Sequence, residues 1–332
     1  MKFALQFFVL AGALTFSPAA ILGAESSFTR VHVAGKEYVQ LGDWARANHF
    51  VPHWLNDKKS IQYVHGSKRL VFNLDPRLDR TKAQINGVEV TLSFPIQYEK
   101  GIAYISQLDL TKTIRPVLSP PKNARGIKIK SVCLDPGHGG KDPGNRVGSN
   151  EEQKYTLLLA RDVRDYLENA GLRVTLTRDK DVYVPLDTRP ELARKRKADL
   201  FVSLHFNSTA SSRSRVKGAE TYCLTPAGAY SSNSGGKGNT HWVKGNGNDS
   251  RNMLLAYEIQ KALVTKLDVE DRGIKRARYA VLREAAMPAV LVEGGFMSHP
   301  TEGKKIFSAA YRKKMARAIA DAILDYKKDV DG

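Results

Sequence analysis

The sequence predicts an α/β sheet with helices on both faces, preceded by a small β-rich domain. After residue 127, apolar strand-like segments alternate with amphipathic helical segments, which is the pattern of α/β folds. Before residue 118, short alternating segments are separated by turn signals such as Asn86-Gly87. A polar, basic stretch around Pro120-Pro121 separates the two parts. We therefore expect a β-rich domain over 28–118, a linker over 119–126 and a second domain over 127–330.

The individual elements follow from hydrophobic periodicity. Leu159, Val163 and Leu167, for example, share one face of a predicted helix. The predicted strands of the second domain cover 129–135, 173–177, 199–206, 218–224, 279–282 and 288–296, and its predicted helices cover about 151–170, 190–197, 250–267 and 308–327. A Gly-, Ser- and Asn-rich insertion over 225–249 is predicted to be a surface loop, and whether its His241 and Trp242 contact a substrate stays open.

Charge and the N-terminal sequence narrow the classes of partner. The 332 residues carry a formal net charge of +18, which favours anionic partners. An apolar run over 3–16, followed by small residues, predicts a secretory signal peptide over 1–24. Export makes nucleic acid an unsuitable partner, and no later segment is long and apolar enough for a stable membrane span. The chain is thus expected in the periplasm or the extracellular cell envelope.

Three polar side chains follow or end apolar strands of the second domain. His138 follows the strand VCLD, His205 ends the strand LFVSLH, and Glu293 ends the strand AVLVE. In open α/β sheets, the crevice beyond the carboxyl ends of the strands is where ligands bind. We therefore expect these three side chains to form one site.

Two imidazoles and a carboxylate form a common catalytic zinc set that leaves one position for water. The segment SNEEQKY, at the start of the helix predicted over 151–170, offers Glu151 or Glu152 as the third ligand. Glu293 is then free to act as the general base that takes a proton from the water and passes it to a leaving amine. Zn²⁺ is accordingly the expected cofactor.

The second domain resembles the zinc-dependent N-acetylmuramoyl-L-alanine amidases of the third amidase family. The resemblance is carried, in order, by DPGHGGKDPGN, EEQKYTLLLA, LTRDKD, ADLFVSLHFNS, GAETYCL and the long segment from DRGIKRARYAVL to MSHPTEGKKI. It implies a mixed sheet similar to that of zinc aminopeptidases and carboxypeptidases. It also implies hydrolysis of the amide between N-acetylmuramic acid and the L-Ala of the stem peptide. The first domain resembles the N-terminal domain of copper amine oxidases.

Carried over to this chain, the resemblance assigns three zinc ligands and a catalytic residue. The ligands are His138, Glu152 and His205, with Glu151 as the rival of Glu152, and the catalytic residue is Glu293. Departures from the family pattern at Gln153 and Thr156 bear on the register of the glutamate ligand, and Gly294 stands where the family commonly has a larger residue.

Several further residues have expected roles. Asn207 and Arg283 are candidate substrate contacts, with a solvated arginine as the alternative for Arg283. Asp135 is either a turn-forming residue before Pro136-Gly137, which is the favoured interpretation, or a partner that orients His138. Arg178 and Arg189 are expected to anchor loops.

The predicted function is that of an exported peptidoglycan hydrolase. Two alternatives are a zinc peptidase of the same fold that acts on stem peptides, and a cell-wall-binding protein that has lost catalysis. Peptidoglycan is the expected partner, and the sequence leaves open whether an envelope protein activates the enzyme.

Overall fold

The computed structural model describes residues 28–56 and 58–331. The signal peptide predicted over 1–24 lies outside the described residues. The strands of the N-terminal region are β1 (Arg30–Val33), β2 (Lys36–Gln40), β3 (Val51–Leu55), β4 (Ser60–His65), β5 (Lys68–Asn73), β6 (Lys82–Ile85), β7 (Val88–Thr91), β8 (Gln97–Glu99) and β9 (Ile102–Ser106). Its helices are α1 (Leu41–Ala47), α2 (Gln107–Asp109), a π-helical turn (Leu110–Ile114) and α3 (Arg115–Leu118). A small β-rich N-terminal region is therefore present, as the sequence predicts.

Strands and helices alternate in the rest of the chain. The strands are β10 (Ser131–Pro136), β11 (Arg146–Val147), β12 (Asn150–Glu151), β13 (Arg173–Leu176), β14 (Leu200–Asn207), β15 (Ala219–Leu224), β16 (Asp271–Ala277) and β17 (Ala289–Phe296). The helices are α4 (Glu152–Asn169), α5 (Thr188–Lys195), a 3₁₀ turn (Lys244–Asn248), α6 (Asp249–Leu267), α7 (Ala280–Arg283), α8 (Pro300–Phe307) and α9 (Ala309–Asp331).

The central sheet is mixed and has the strand order β13-β10-β14-β17-β15-β16-β7-β6-β5-β4-β3. Strands β13, β10, β14 and β17 are parallel, and β15 pairs antiparallel with β17. The carboxyl ends of the parallel strands consequently meet at one edge, where the fold places the ends of β10, β14 and β17 side by side.

Helices cover both faces of this sheet, which confirms the predicted fold class. Along β10, Val132 and Leu134 join the core cluster that contains α4, α6 and α9. Cys133, between them, joins a second cluster with Ala193 of α5 and Leu282 of α7. Side chains of a strand alternate between faces, so two helical layers explain why these strands are predominantly apolar on both faces.

The sheet continues from the second part of the chain into the N-terminal region. Strand β7 pairs in parallel with β16, where Val90 lies opposite Ile274. The carboxylate of Asp271 accepts a hydrogen bond from the Glu89 backbone N–H at 2.8 Å. The fully buried Arg276 donates to the carbonyl oxygen of Lys112 at 2.8 Å. The division into domains at 119–126 stays a prediction, but strands from both sides of it share one sheet.

The prediction of a strand over 279–282 is wrong. The segment forms α7, where the carbonyl oxygen of Tyr279 accepts hydrogen bonds from the N–H groups of Leu282 and Arg283. A four-residue apolar run has the same composition in a buried strand and in a buried helical turn, so its pattern does not decide between them. No helix within 28–56 or 58–331 is long and apolar enough to cross a bilayer.

Candidate metal centre and cleft

The imidazole of His138 is presented by a loop with unusual backbone geometry. His138 follows β10 and has φ 60°, a left-handed conformation that non-glycine residues seldom adopt. A Cβ atom on the preceding Gly137 would lie 2.2 Å from the His205 ring, and one on Gly144 would lie 2.6 Å from the His138 ring. The flanking glycines therefore allow the two imidazoles to approach each other across bare backbone.

His138, Glu152 and His205 converge on one point from three separate elements. Glu152 is the first residue of α4 and His205 lies near the end of β14. One potential ligand atom from each of the three residues lies within 4.8 Å of the others. Two imidazole nitrogens and one carboxylate oxygen are donors that suit Zn²⁺. The structure thus brings together the three predicted ligands, and the donor set fits the predicted metal.

The carboxylate of Glu152 is buried and fully hydrogen-bonded. Its Oε2 lies 3.1 Å from His138 Nε2, and its Oε1 lies 3.0 Å from His205 Nδ1. Oε2 also accepts from the backbone N–H and the side-chain Nδ2 of Asn145, both at 2.9 Å, and Oε1 accepts from the Phe206 N–H at 3.0 Å. Burial alone would raise the pKa of Glu152, but the hydrogen bonds from the two imidazoles lower it below its ordinary value. Glu152 is therefore held as an anion.

The rival ligand Glu151 faces elsewhere. Its Oε1 pairs with Arg146 at 2.8 Å, and its Oε2 accepts from the side chain of Gln153 at 2.7 Å. Glu152, and not Glu151, is thus the glutamate that contacts the two imidazoles, despite the departure from the family pattern at Gln153.

Asp142, a residue that the sequence did not indicate, orients His138. Its Oδ2 lies 2.9 Å from His138 Nδ1, and its Oδ1 accepts from the Gly144 N–H at 3.1 Å. Burial would lower the pKa of His138, but hydrogen bonds to Glu152 and Asp142 raise it. With Asp142 on Nδ1, the nitrogen that would bind a metal is Nε2, which here contacts Glu152.

Asp135, the predicted partner of His138, has a different role. Its buried carboxylate accepts from Thr177 at 2.6 Å, from Ser203 at 2.7 Å and from Arg189 at 2.9 Å. Asp135 lies inside β10, and its side chain pairs with Arg189 of α5 rather than with the imidazole of the following loop. The hypothesis that Asp135 orients His138 is therefore wrong.

Two buried arginines anchor the loop that carries His138, as predicted. Arg189 donates to the His138 carbonyl oxygen at 2.9 Å, and Arg178 donates to the Gly137 carbonyl oxygen at 2.7 Å. Both arginine side chains are almost completely buried, so they hold the loop in place through hydrogen bonds to its backbone carbonyl oxygens.

Glu293 stands beside this centre in a different environment. It lies on β17 directly opposite His205 of β14. The residue is half-exposed at the wall of the cleft, but its Oε2 is buried and accepts no hydrogen bond within the described residues. Burial, together with the charges of Glu152 and Glu220, raises the pKa of Glu293 well above its ordinary value. This carboxylate has an oxygen available for proton transfer.

The centre opens into a cleft of about 410 Å³. His138, Glu152, His205 and Glu293 lie on its wall together with Tyr183 and Tyr279. No residue of the 225–249 insertion lines this cleft in the described part of the chain.

The two predicted substrate contacts lie outside the lining of the cleft. Asn207 donates its side-chain N–H to Glu220 at 2.8 Å, and Arg283 is exposed on α7. Their contact with a substrate stays a prediction.

Comparison with known proteins identifies the family of the chain. Residues 132–325 match the family Amidase_3, described as N-acetylmuramoyl-L-alanine amidase. The chain is 33% identical over 243 residues to the amidase AmiC of Neisseria meningitidis, covering 66% of this chain and 57% of that protein. It is 31% identical over 247 residues to the amidase AmiA of Escherichia coli, covering 67% of this chain and 84% of that protein.

A solved structure has the same fold in this region. The amidase AmiC2 of Nostoc punctiforme superimposes with a TM-score of 0.51 at 32% identity, over 61% of this chain and 99% of that one. The match covers the part of the chain that carries the His138, Glu152 and His205 cluster. The chain therefore belongs to the N-acetylmuramoyl-L-alanine amidase family.

Proposed function

We propose that the protein is an exported, zinc-dependent hydrolase that cleaves the amide between the lactyl group of N-acetylmuramic acid and the L-Ala of the stem peptide. The single observation that carries this proposal is that two carboxylates in different environments, those of Glu152 and Glu293, lie beside the same two imidazoles. Glu152 is anionic and saturated with hydrogen bonds, whereas Glu293 keeps an unpartnered buried oxygen. In amide hydrolysis at a metal, a carboxylate of the first kind can hold the ion and one of the second kind can transfer the protons.

His138, Glu152 and His205 would hold the Zn²⁺. When bound, the ion supplies Lewis acidity and lowers the pKa of a bound water to about 7. Asp142 and the Asn145 amide keep His138 and Glu152 in their ligand orientations.

Glu293 moves the protons of the reaction. Its Oε2 takes a proton from the attacking water and then donates that proton to the nitrogen of L-Ala as the amide bond breaks. The raised pKa of Glu293 suits the second step, in which the group must act as an acid near neutral pH.

The setting of the reaction is also part of the proposal. The signal peptide over 1–24 would deliver the protein to the periplasm or the outer envelope, where peptidoglycan is the substrate. The net charge of +18 favours a salt-sensitive attraction to an anionic wall polymer. A lipoprotein partner is one form of control for such a fold, because the structure of the CwlD amidase from Clostridioides difficile, which is 27% identical, is a complex with the GerS lipoprotein.

Digestion of purified peptidoglycan tests the proposal. We expect the zinc-loaded protein to release peptides with new L-Ala amino termini while the glycan strands stay intact. Cleavage within the stem peptide would instead identify a zinc peptidase, and binding without release would identify a catalytically inactive wall-binding protein. Mass spectrometry of defined muropeptides distinguishes the three results.

A further inference from the structure

The rim of the cleft carries a cluster of exposed apolar side chains. Val182, Tyr183 and Leu186 lie between β13 and α5 with exposed fractions of 47%, 43% and 58%. Tyr183 and Leu186 line the catalytic cleft, whereas Val182 does not. Exposed apolar side chains that line a cleft, as Tyr183 and Leu186 do, are candidates for contact with a ligand.

The backbone of this rim is fixed to the loop that carries His138. The Gly140 N–H donates to Asp181 Oδ1 at 2.7 Å, and Arg189 donates to the Val184 carbonyl oxygen at 3.0 Å. The Lys141 Nζ lies 4.5 Å from the centroid of the Tyr183 ring. A rim that is already ordered binds a ligand without the cost of ordering a mobile loop.

The strand order sets the direction in which a substrate lies across the cleft. Tyr183 follows β13, whereas Tyr279 packs against Tyr222 of β15 with 5.2 Å between the ring centroids, so the two tyrosines line the cleft on opposite sides of β10, β14 and β17. Glu293, on β17, lies between the imidazoles and the Tyr279 wall. Because the proton donor must be next to the leaving nitrogen, the peptide extends toward Tyr279. The acyl side of the amide then extends past His138 toward Tyr183.

We propose that Tyr183 and Leu186 form a platform for the muramoyl sugar ring of the substrate. This inference rests on the proposed function and on the role of Glu293 in it. The apolar C–H face of a pyranose suits an exposed tyrosine ring and a leucine side chain, which supply contact area at little entropic cost. The stem peptide carries carboxylates, which suit the guanidinium of Arg283, exposed on α7 outside the cleft lining on the side of Tyr279.

The test compares two substrates with the same scissile amide. One carries a dipeptide that begins with L-Ala on N-acetylmuramic acid, and the other carries the same dipeptide on lactate alone. We expect Tyr183→Ala to lower kcat/KM for the sugar-bearing substrate about tenfold, mainly through KM, and to leave the lactyl substrate unchanged. Leu186→Ala should have the same selectivity with a smaller loss, and Tyr183→Phe should retain the activity on both substrates.

Val182→Ala is the matched control, because it removes an equally exposed apolar side chain that does not line the cleft. It should change neither substrate. Equal losses on both substrates in Tyr183→Ala would overturn the proposal, as would no loss at all. A loss that depends on the length of the peptide would also overturn it and place the peptide on this wall. If the wild-type protein hydrolyses neither substrate, the proposed function itself fails, and that result is distinct from all the others.

Discussion

The two carboxylates of the cleft differ in how completely their oxygens are satisfied. Around Glu152, two imidazoles, the Asn145 amide and two backbone N–H groups contact the carboxylate, and its pKa is lowered. Around Glu293, one oxygen is buried without a partner, and its pKa is raised. The two groups lie in one cleft, Glu152 at the start of α4 and Glu293 on β17. The difference shows that hydrogen bonding, rather than location, separates an anionic ligand from a group that can exchange a proton.

Removal of the Glu152 carboxylate should have the largest effect on activity, because this group is both a proposed zinc ligand and the acceptor of several hydrogen bonds. Glu152→Ala takes away one ligand and leaves the Phe206 N–H and the Asn145 side chain without their acceptor. We expect zinc content to fall to background, and hydrolysis of peptidoglycan with it. Glu151→Ala is the matched control, because that neighbour binds Arg146 and Gln153 instead. Elemental analysis that found full zinc occupancy in Glu152→Ala would contradict the assignment.

Replacement of Glu293 tests the role of the second carboxylate in proton transfer. Glu293→Gln keeps the shape of the side chain but removes its ability to carry a proton to and fro. We expect a loss of about 10²- to 10⁴-fold in kcat with zinc content unchanged. Glu284→Gln, at an exposed carboxylate that follows α7, is the control and should retain wild-type activity. A variant Glu293→Gln that lost its zinc would show that the two carboxylates share one role.

Much of the fold follows from the sequence because apolar periodicity records burial. The segments of β10, β14 and β17 are predominantly apolar, and the structure buries them between two helical layers. Strand β16 escaped prediction because it reads DRGIKRA, with charges that dominate its pattern. Those charges are satisfied by partners far away in the sequence, such as Glu220 for Arg272 at 3.0 Å. Local pattern does not contain such partners.

The residues of the site likewise include some that the sequence predicts and some that it does not. His138, His205 and Glu293 could be predicted because each follows or ends an apolar strand, so the sheet itself brings them together. Asp142 and Asn145 could not, because the fold of the loop over 139–150 decides which of its polar side chains turn inward. A spacing of four residues between His138 and Asp142 was the only local signal, and it has many structural meanings. The pairing of β7 with β16 depends on contacts across 180 or so positions, which no local pattern records.

Asn145 offers a finer way to disturb the saturated carboxylate. Its Nδ2 donates both to Glu152 Oε2 and to the Phe206 carbonyl oxygen, each at 2.9 Å, and so ties the ligand to β14. We expect Asn145→Ala to weaken zinc affinity about 10- to 100-fold, which is the range for groups that orient a ligand. Competition with a chelator measures this directly. Asn150→Ala, at the start of β12, removes hydrogen bonds with Val147 and Tyr155 but none with Glu152, and should leave the affinity unchanged. Equal affinities in the two variants would show that the backbone N–H groups alone orient Glu152.

The smallest expected effect is on the stability of the metal-free protein. It reports the cost of burying the charged Glu293 carboxylate without a hydrogen-bond partner for Oε2. The pKa of Glu293 is raised in the folded state above the ordinary value of 4.5. Between pH 4.5 and the raised pKa, the folded protein therefore binds more protons than the unfolded chain, so the free energy of unfolding falls as the pH rises. Glutamine resembles the protonated form and does not titrate. We expect the Tm of Glu293→Gln to exceed that of the wild type by a few degrees at pH 7.5 and by less at pH 5, when both are measured in the presence of a chelator. Parallel Tm profiles for the two proteins across this range would mean that burial does not hold Glu293 in its protonated form, and the contrast with Glu152 would then rest on geometry alone.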